Sequence, residues 1–115
     1  DNSQVTDVML QLANRQIDPV SAASELIKKS ELADILAAVQ VLISRIIRLK
    51  FASENPLSAK HNCDRVLLDC GKRLNFKQLY AFLDIVYNTK QLAGGPLDDT
   101  LALEDNLISW QNLFS

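Results

Sequence analysis

Glycine and proline are scarce in this 115-residue chain, three of each, which leaves few places for tight turns. Aromatic residues make up only 6% of it while apolar residues reach 48%, an aliphatic balance that favours helices over a β sandwich. No segment alternates apolar and polar residues with period two over a useful length, so the strand signal is missing. There is no Gly-rich phosphate loop: the one Gly pair, Gly94-Gly95, runs into Pro96 with no following Lys-Ser/Thr and reads as a helix break. The longest apolar run, Leu32 to Ile47, is interrupted by Asp34, Gln40 and Arg45 and is too short to cross a bilayer. A net charge of −2 gives no global attraction to nucleic acid or membrane.

Catalytic and metal-binding constellations are thin. The single histidine, His61, stands near Cys63 and Asp64, three potential ligands where a structural zinc site wants four in a recognisable spacing. His61 and Cys63 are too close in sequence to face each other as base and nucleophile. The acid pairs Asp98-Asp99 and Glu104-Asp105 fall at a helix start, where the dipole stabilises them. The reading is a domain with no catalytic residues, no metal, no cofactor and no small-molecule substrate. Cys63 and Cys70, if on one helix, lie roughly 10 Å apart from the helical rise, beyond disulfide reach. They read as free thiols of a cytoplasmic protein. The chain opens DNSQVTD, without a signal peptide or an initiator Met, and reads as one domain cut from a longer protein.

What is present is helical patterning. The spacing predicts an all-α bundle of five or six helices. The first covers about Ser3 to Asn14, with Val5, Val8, Met9 and Leu12 inward. Asp18-Pro19 opens the second, which carries Val20, Ala23, Leu26 and Ile27 and ends in Lys28-Lys29. Ser30 is the expected N-cap of a long central helix reaching Phe51 or Ala52. Leu32, Ile35, Leu36, Val39, Leu42, Ile43 and Ile46 form its core face, widened by Val41 and Ile47, with Ala37 and Ala38 for close approach. Residues 53–62 read as a polar linker. A shorter helix follows over Asp64 to Leu74, with Val66, Leu67 and Cys70 inward and Gly71 expected to weaken it or end it early. Asn75 and Gln78 make a capping box for the fifth helix. Its expected core face is Phe76, Leu79, Tyr80, Leu83, Val86 and Tyr87, with Phe82 and Ile85 pointing elsewhere. Ala93-Gly94-Gly95-Pro96 stops it, and Asp98 or Asp99 caps the sixth.

The sixth helix carries two apolar stripes. Leu103, Leu107, Trp110 and Phe114 follow i, i+4, i+7, i+11, while Leu101 and Ile108 lie on a neighbouring line. One stripe of about 100° is enough to cover a core. The surplus predicts burial on two sides: Leu103 and Leu107 against the domain, Leu101 and Ile108 against a neighbour. Leu101, Ile108, Trp110, Phe114, Phe82 and Ile85 are the interface candidates, with Trp110 equally readable as plain core.

Charge is uneven. Residues 45–77 sum to +5, residues 1–44 to −3 and residues 78–115 to −4. Arg45, Arg48, Lys50, Lys72, Arg73 and Lys77 are therefore a candidate basic patch. They suit either an acidic partner or phosphates, although no aromatic residues interleave them for base stacking.

Three stretches resemble a known family: IDPVSAASELIKK (Ile17–Lys29), SRIIRLKFA (Ser44–Ala52) and LYAFLDIVYNTKQLAGGPLDDTLALEDNLISW (Leu79–Trp110). In order and spacing they are similar to the C-terminal collar domain of the delta-prime subunit of the bacterial DNA polymerase III clamp loader. Leu26, Lys90 and Asp98-Asp99 depart from the expected pattern, which keeps delta and gamma/tau subunits open as alternatives. The resemblance implies an oligomerisation domain without ATPase modules. Its partners would be other clamp-loader subunits, and it would support sliding-clamp loading in DNA replication while meeting DNA only indirectly.

Overall fold

The computed structural model describes residues 2–55 and 64–115, with the backbone alone at Asn2. Six α-helices follow in order: α1 (Asn2–Ala13), α2 (Pro19–Lys29), α3 (Leu32–Glu54), α4 (Arg65–Lys72), α5 (Phe76–Leu92) and α6 (Asp99–Asn112). No strand occurs among the described residues. The expected linker is shortened, because Ser53 and Glu54 belong to α3. Residues 56–63, including His61 and Cys63, lie outside the described residues.

Helix starts follow local chemistry. A carboxylate or amide oxygen ahead of the first turn accepts an otherwise unpaired backbone N–H. Asp18 accepts from Ser21 N at 2.9 Å, Asp64 from Leu67 N at 3.2 Å and Asp98 from Leu101 N at 3.1 Å. Asn75 and Gln78 close the capping box reciprocally, at 2.7 and 2.9 Å. The exception is α3. Ser30 does not cap it: extended, with its N–H donating to Leu26 O at 3.0 Å, Ser30 closes α2 instead. Glu31 precedes α3 without a side-chain cap. At its other end α3 outruns the expected Phe51 or Ala52, and Lys50 pairs with Glu54 across the added turn at 3.1 Å.

Helix α1 ends in a left-handed cap. Arg15 takes φ 57°, Gln16 N donates to Gln11 O at 2.9 Å and Arg15 N to Leu12 O at 3.1 Å. This is the Schellman pattern, with arginine at the position glycine usually fills.

Helix α3 packs on α1 and α5, α6 packs on the same two helices, and α3 and α6 also touch each other. Helix α2 lies on α6 and α1, and α4 lies on α3. Val5, Met9, Leu12, Leu26, Ile35, Leu36, Ile43, Ile46, Leu79, Val86, Leu103 and Leu107 make one continuous core with Trp110 and Phe82.

Helix α4 ends at Lys72, one residue past Gly71 and short of Leu74. Gly71 is buried, and a Cβ there would stand 2.8 Å from Ile46 Cγ2, so the missing side chain is what lets α4 lie close on α3. Several faces are rotated from expectation. Val20, Val41, Val66, Tyr80 and Tyr87 are exposed, while Ala22, Leu68 and Phe82 are buried. On α5 the buried line is Leu79, Phe82 and Val86, because this helix must address both α3 and α6.

Candidate protein interface

The orientation of α6 is set by directional bonds near its C-terminal end. Trp110 is fully buried, and its indole Nε1–H donates to Met9 O at 2.8 Å. Its ring lies 5.2 Å from Phe82 and 4.9 Å from Phe114, the latter edge-on. Gln111 Nε2 donates to Leu12 O at 3.0 Å and to Ile17 O at 3.3 Å. Arg15 Nη2 returns a bond to Gln111 O at 3.4 Å. Together these groups satisfy carbonyls at the end of α1 and lock its outgoing turn to α6.

Halfway along α6, Asn106 is buried between helices. Its Nδ2 donates to Thr89 Oγ1 at 2.8 Å and to Ala102 O at 3.0 Å, while its Oδ1 has no hydrogen-bond partner among the described residues. Sequence reasoning missed Asn106, Gln111 and Arg15. The available signal was an amide on the same line as Leu103 and Leu107, where an apolar residue belongs.

With Leu103, Leu107 and Trp110 inward, Leu101 and Ile108 turn outward, 57% and 39% exposed. Asp105 is exposed between them and Glu104 is half-buried beside them. Ile85 is also exposed, on α5. Trp110 and Phe82 are not interface residues of the free chain. They are 0% and 1% exposed, because the largest side chains fill the space where α1, α5 and α6 converge. Phe114 is half-buried on the Trp110 ring and carries the Arg73 guanidinium 4.6 Å from its own centroid.

Two of the six basic residues have partners within the fold. Arg73 donates to Asn14 Oδ1 at 2.9 Å and Ala13 O at 3.2 Å, holding α1 to the end of α4. Lys50 is buried, with its ammonium 5.2 Å from the Phe76 ring centroid and 3.1 Å from Glu54. Lys50 engages its partners from a buried position and Arg73 from an exposed one, their long apolar stems packing while their heads find partners. Arg45, Arg48, Lys72 and Lys77 remain exposed, Arg45 in a loose 3.9 Å pair with Asp64.

Two clefts accompany these surfaces. One, of about 390 Å³, lies between the α2–α3 turn and Asp99. The other, of about 170 Å³, is lined by Leu10, Ala13, Val66 and Arg73 and reaches Cys70. Burial pushes the Cys70 thiol from 9.0 up to about 11, against the opposing pull of Arg73. Cys70 is a free thiol. Among the described residues no group of three His, Cys, Asp or Glu is placed to hold a metal ion, and no helix is long and apolar enough to cross a membrane. Comparisons with protein-family models, curated proteins and solved structures find no match.

Proposed function

We propose that this chain is a protein–protein assembly module, the collar domain of a clamp-loader subunit of the delta-prime kind, acting in the cytoplasm during DNA replication. The observation that carries the reading is the outward face of α6. Leu101 and Ile108 are exposed on a helix whose inward face is already complete with Leu103, Leu107 and Trp110. Exposed apolar residues in line on one helix, flanked by acids, suit a helix-on-helix contact with another subunit. The three stretches of likeness name the partner class: neighbouring collar domains of delta and gamma/tau. The role is that of a scaffold, with the chemistry supplied by other modules.

Purified delta and gamma/tau collar domains are expected to bind this chain at micromolar concentration. Leu101→Asp combined with Ile108→Asp should weaken that binding at least about tenfold, with thermal unfolding unchanged because both positions face solvent. Failure of the unaltered chain to bind either partner at micromolar concentration overturns the reading. The nucleic-acid alternative rests on Arg45, Arg48, Lys72 and Lys77, because Lys50 and Arg73 are engaged within the fold. A salt titration against short duplexes distinguishes it, with steep loss of binding as salt rises.

A further inference from the structure

We infer that Asn106 is a positioning residue: with Thr89 it fixes the register of α6 on α5, and so the placement of the outward residues Ile85, Leu101 and Ile108. The inference rests on reading the α6 face as an assembly surface and adds two residues that shape this face from inside the bundle.

Asn106 sits where a leucine would pack. It is 3% exposed, among Leu103, Leu107 and Trp110 on the inward side of α6. Lys50, the other buried charged or amide side chain among the described residues, sends its ammonium to Glu54. Asn106 Oδ1 has no such partner among the described residues. A buried acceptor left unpaired lowers stability, and a leucine of similar shape would not carry that cost. Stability alone therefore does not explain an amide here. A lone buried amide between helices is best attested as a device that selects one register over others that apolar packing would tolerate.

A chain of hydrogen bonds makes that selection. Thr89 Oγ1 donates to Ile85 O at 3.0 Å and accepts from Asn106 Nδ2 at 2.8 Å, and Asn106 Nδ2 also donates to Ala102 O at 3.0 Å. The turn of α5 that carries Ile85 is thus tied to the turn of α6 that carries Leu101. The next residue on α5, Lys90, donates to Gln40 on α3 at 3.2 Å, so the same stretch of α5 is also held to α3.

Apolar burial does not supply this register, because it is non-directional and α6 carries leucines or isoleucines on two lines. Phe82 meets Trp110 and Thr89 meets Asn106, so α5 and α6 run antiparallel. A slip of one turn would set Asn106 beside Ile85 or Ala93, neither of which has a polar side chain. Every outward residue of α6 would move by about 5.4 Å along α5. Trp110 and Gln111 fix α6 against α1. Asn106 fixes it against α5.

The test removes the amide and the hydroxyl separately, as Asn106→Leu and Thr89→Val, in the whole chain. Trp110 is the single tryptophan, and its ring lies 5.2 Å from Phe82 on α5, so its indole N–H resonance reports how α6 sits on α5. Asn106→Leu is expected to melt about 4–8 °C above the unaltered chain while that resonance broadens or splits. Its binding to delta or gamma/tau collar domains should weaken about tenfold or more, although Asn106 is buried. Thr89→Val should also lose the single resonance, without the gain in melting temperature. A more stable chain that binds less tightly is an outcome that a merely structural role does not produce. A lower melting temperature for Asn106→Leu overturns the inference. So does one sharp indole resonance with binding unchanged, a result that leaves the assembly reading standing. If the unaltered chain binds neither partner and the resonance of Asn106→Leu still splits, the register role stands and the assembly reading falls.

Discussion

Helices α3 and α6 both pack on α1 and α5, and they are held there by different forces. Helix α3 buries Leu32, Ile35, Leu36, Val39, Leu42, Ile43 and Ile46, and one polar bond, Lys90 Nζ to Gln40 Oε1 at 3.2 Å, ties it to α5. Helix α6 buries fewer large residues but adds side-chain bonds from Asn106, Trp110 and Gln111 to three other parts of the chain. Apolar burial is non-directional: it holds a helix in place but says little about its rotation. Hydrogen bonds specify an angle. The difference teaches that the outward face of α6 is a defined surface, because the inward face is pinned.

The comparison can be broken at Trp110. Trp110→Ala should cost about 3–5 kcal/mol, since it empties the junction of α1, α5 and α6 and orphans the bond to Met9 O. Urea unfolding measures this; a loss under about 1 kcal/mol would mean that the pin is not what holds α6. The next effect belongs to Cys70, on α4 beside α3. Its folded-state pKa is raised from 9.0 to about 11 by burial. Below pH 9 both states keep the proton, so the full stability is present. Between pH 9 and 11 only the unfolded chain loses the proton, so stability falls as pH rises through that window. The two units correspond to about 2–3 kcal/mol. Cys70→Ala should remove that part of the alkaline loss, read as the difference between the two stability–pH curves.

A smaller effect sharpens the α3 side. Gly71→Ala puts a methyl 2.8 Å from Ile46 Cγ2. The expected cost is about 1–2 kcal/mol after alanine's better helix propensity offsets part of the clash. Combined with Ile46→Ala, it should cost less than the sum of the two changes, which a double-mutant cycle tests. The smallest effect is at Arg15, held at φ 57°. Arg15→Gly should stabilise by up to about 1 kcal/mol, while Arg15→Val destabilises, because only glycine occupies this region without steric cost. Equal midpoints for the two variants would show that the cap carries no strain.

Much of the architecture was readable from local chemistry. Asp18, Asp64, Asn75 with Gln78, and Asp98 each announce a helix start, and an oxygen at the cap position works wherever the helix goes. The long apolar face of α3 was also readable, because seven residues on one arc admit a single inward direction. Rotation was not readable where apolar residues cover a wide arc. The spacing on α5 puts Tyr80, Val86 and Tyr87 on one face and Phe82 with Ile85 on another, whereas the positions of α3 and α6 bury Val86 with Phe82 and leave both tyrosines exposed. The same reason hid the role of Gly71, which depends on Ile46, 25 positions earlier in the chain. On α6 the split into Leu103 and Leu107 inward, Leu101 and Ile108 outward, was read from spacing alone. The engagement of Lys50 with Phe76 and of Arg73 with Asn14 and Ala13 was not, since these partners meet only when α3 packs on α5 and α1 meets the end of α4.

The bond between Trp110 and Met9 joins groups 101 residues apart. A ribosome delivers α6 after the other five helices, so the seat that α1 and α2 prepare for it stays open to water throughout synthesis of the preceding segments. Closing so long a loop is entropically slow. A nascent chain halted before Asp99 would display that apolar seat to chaperones and proteases, and arrival of the final helix is what withdraws it from their reach.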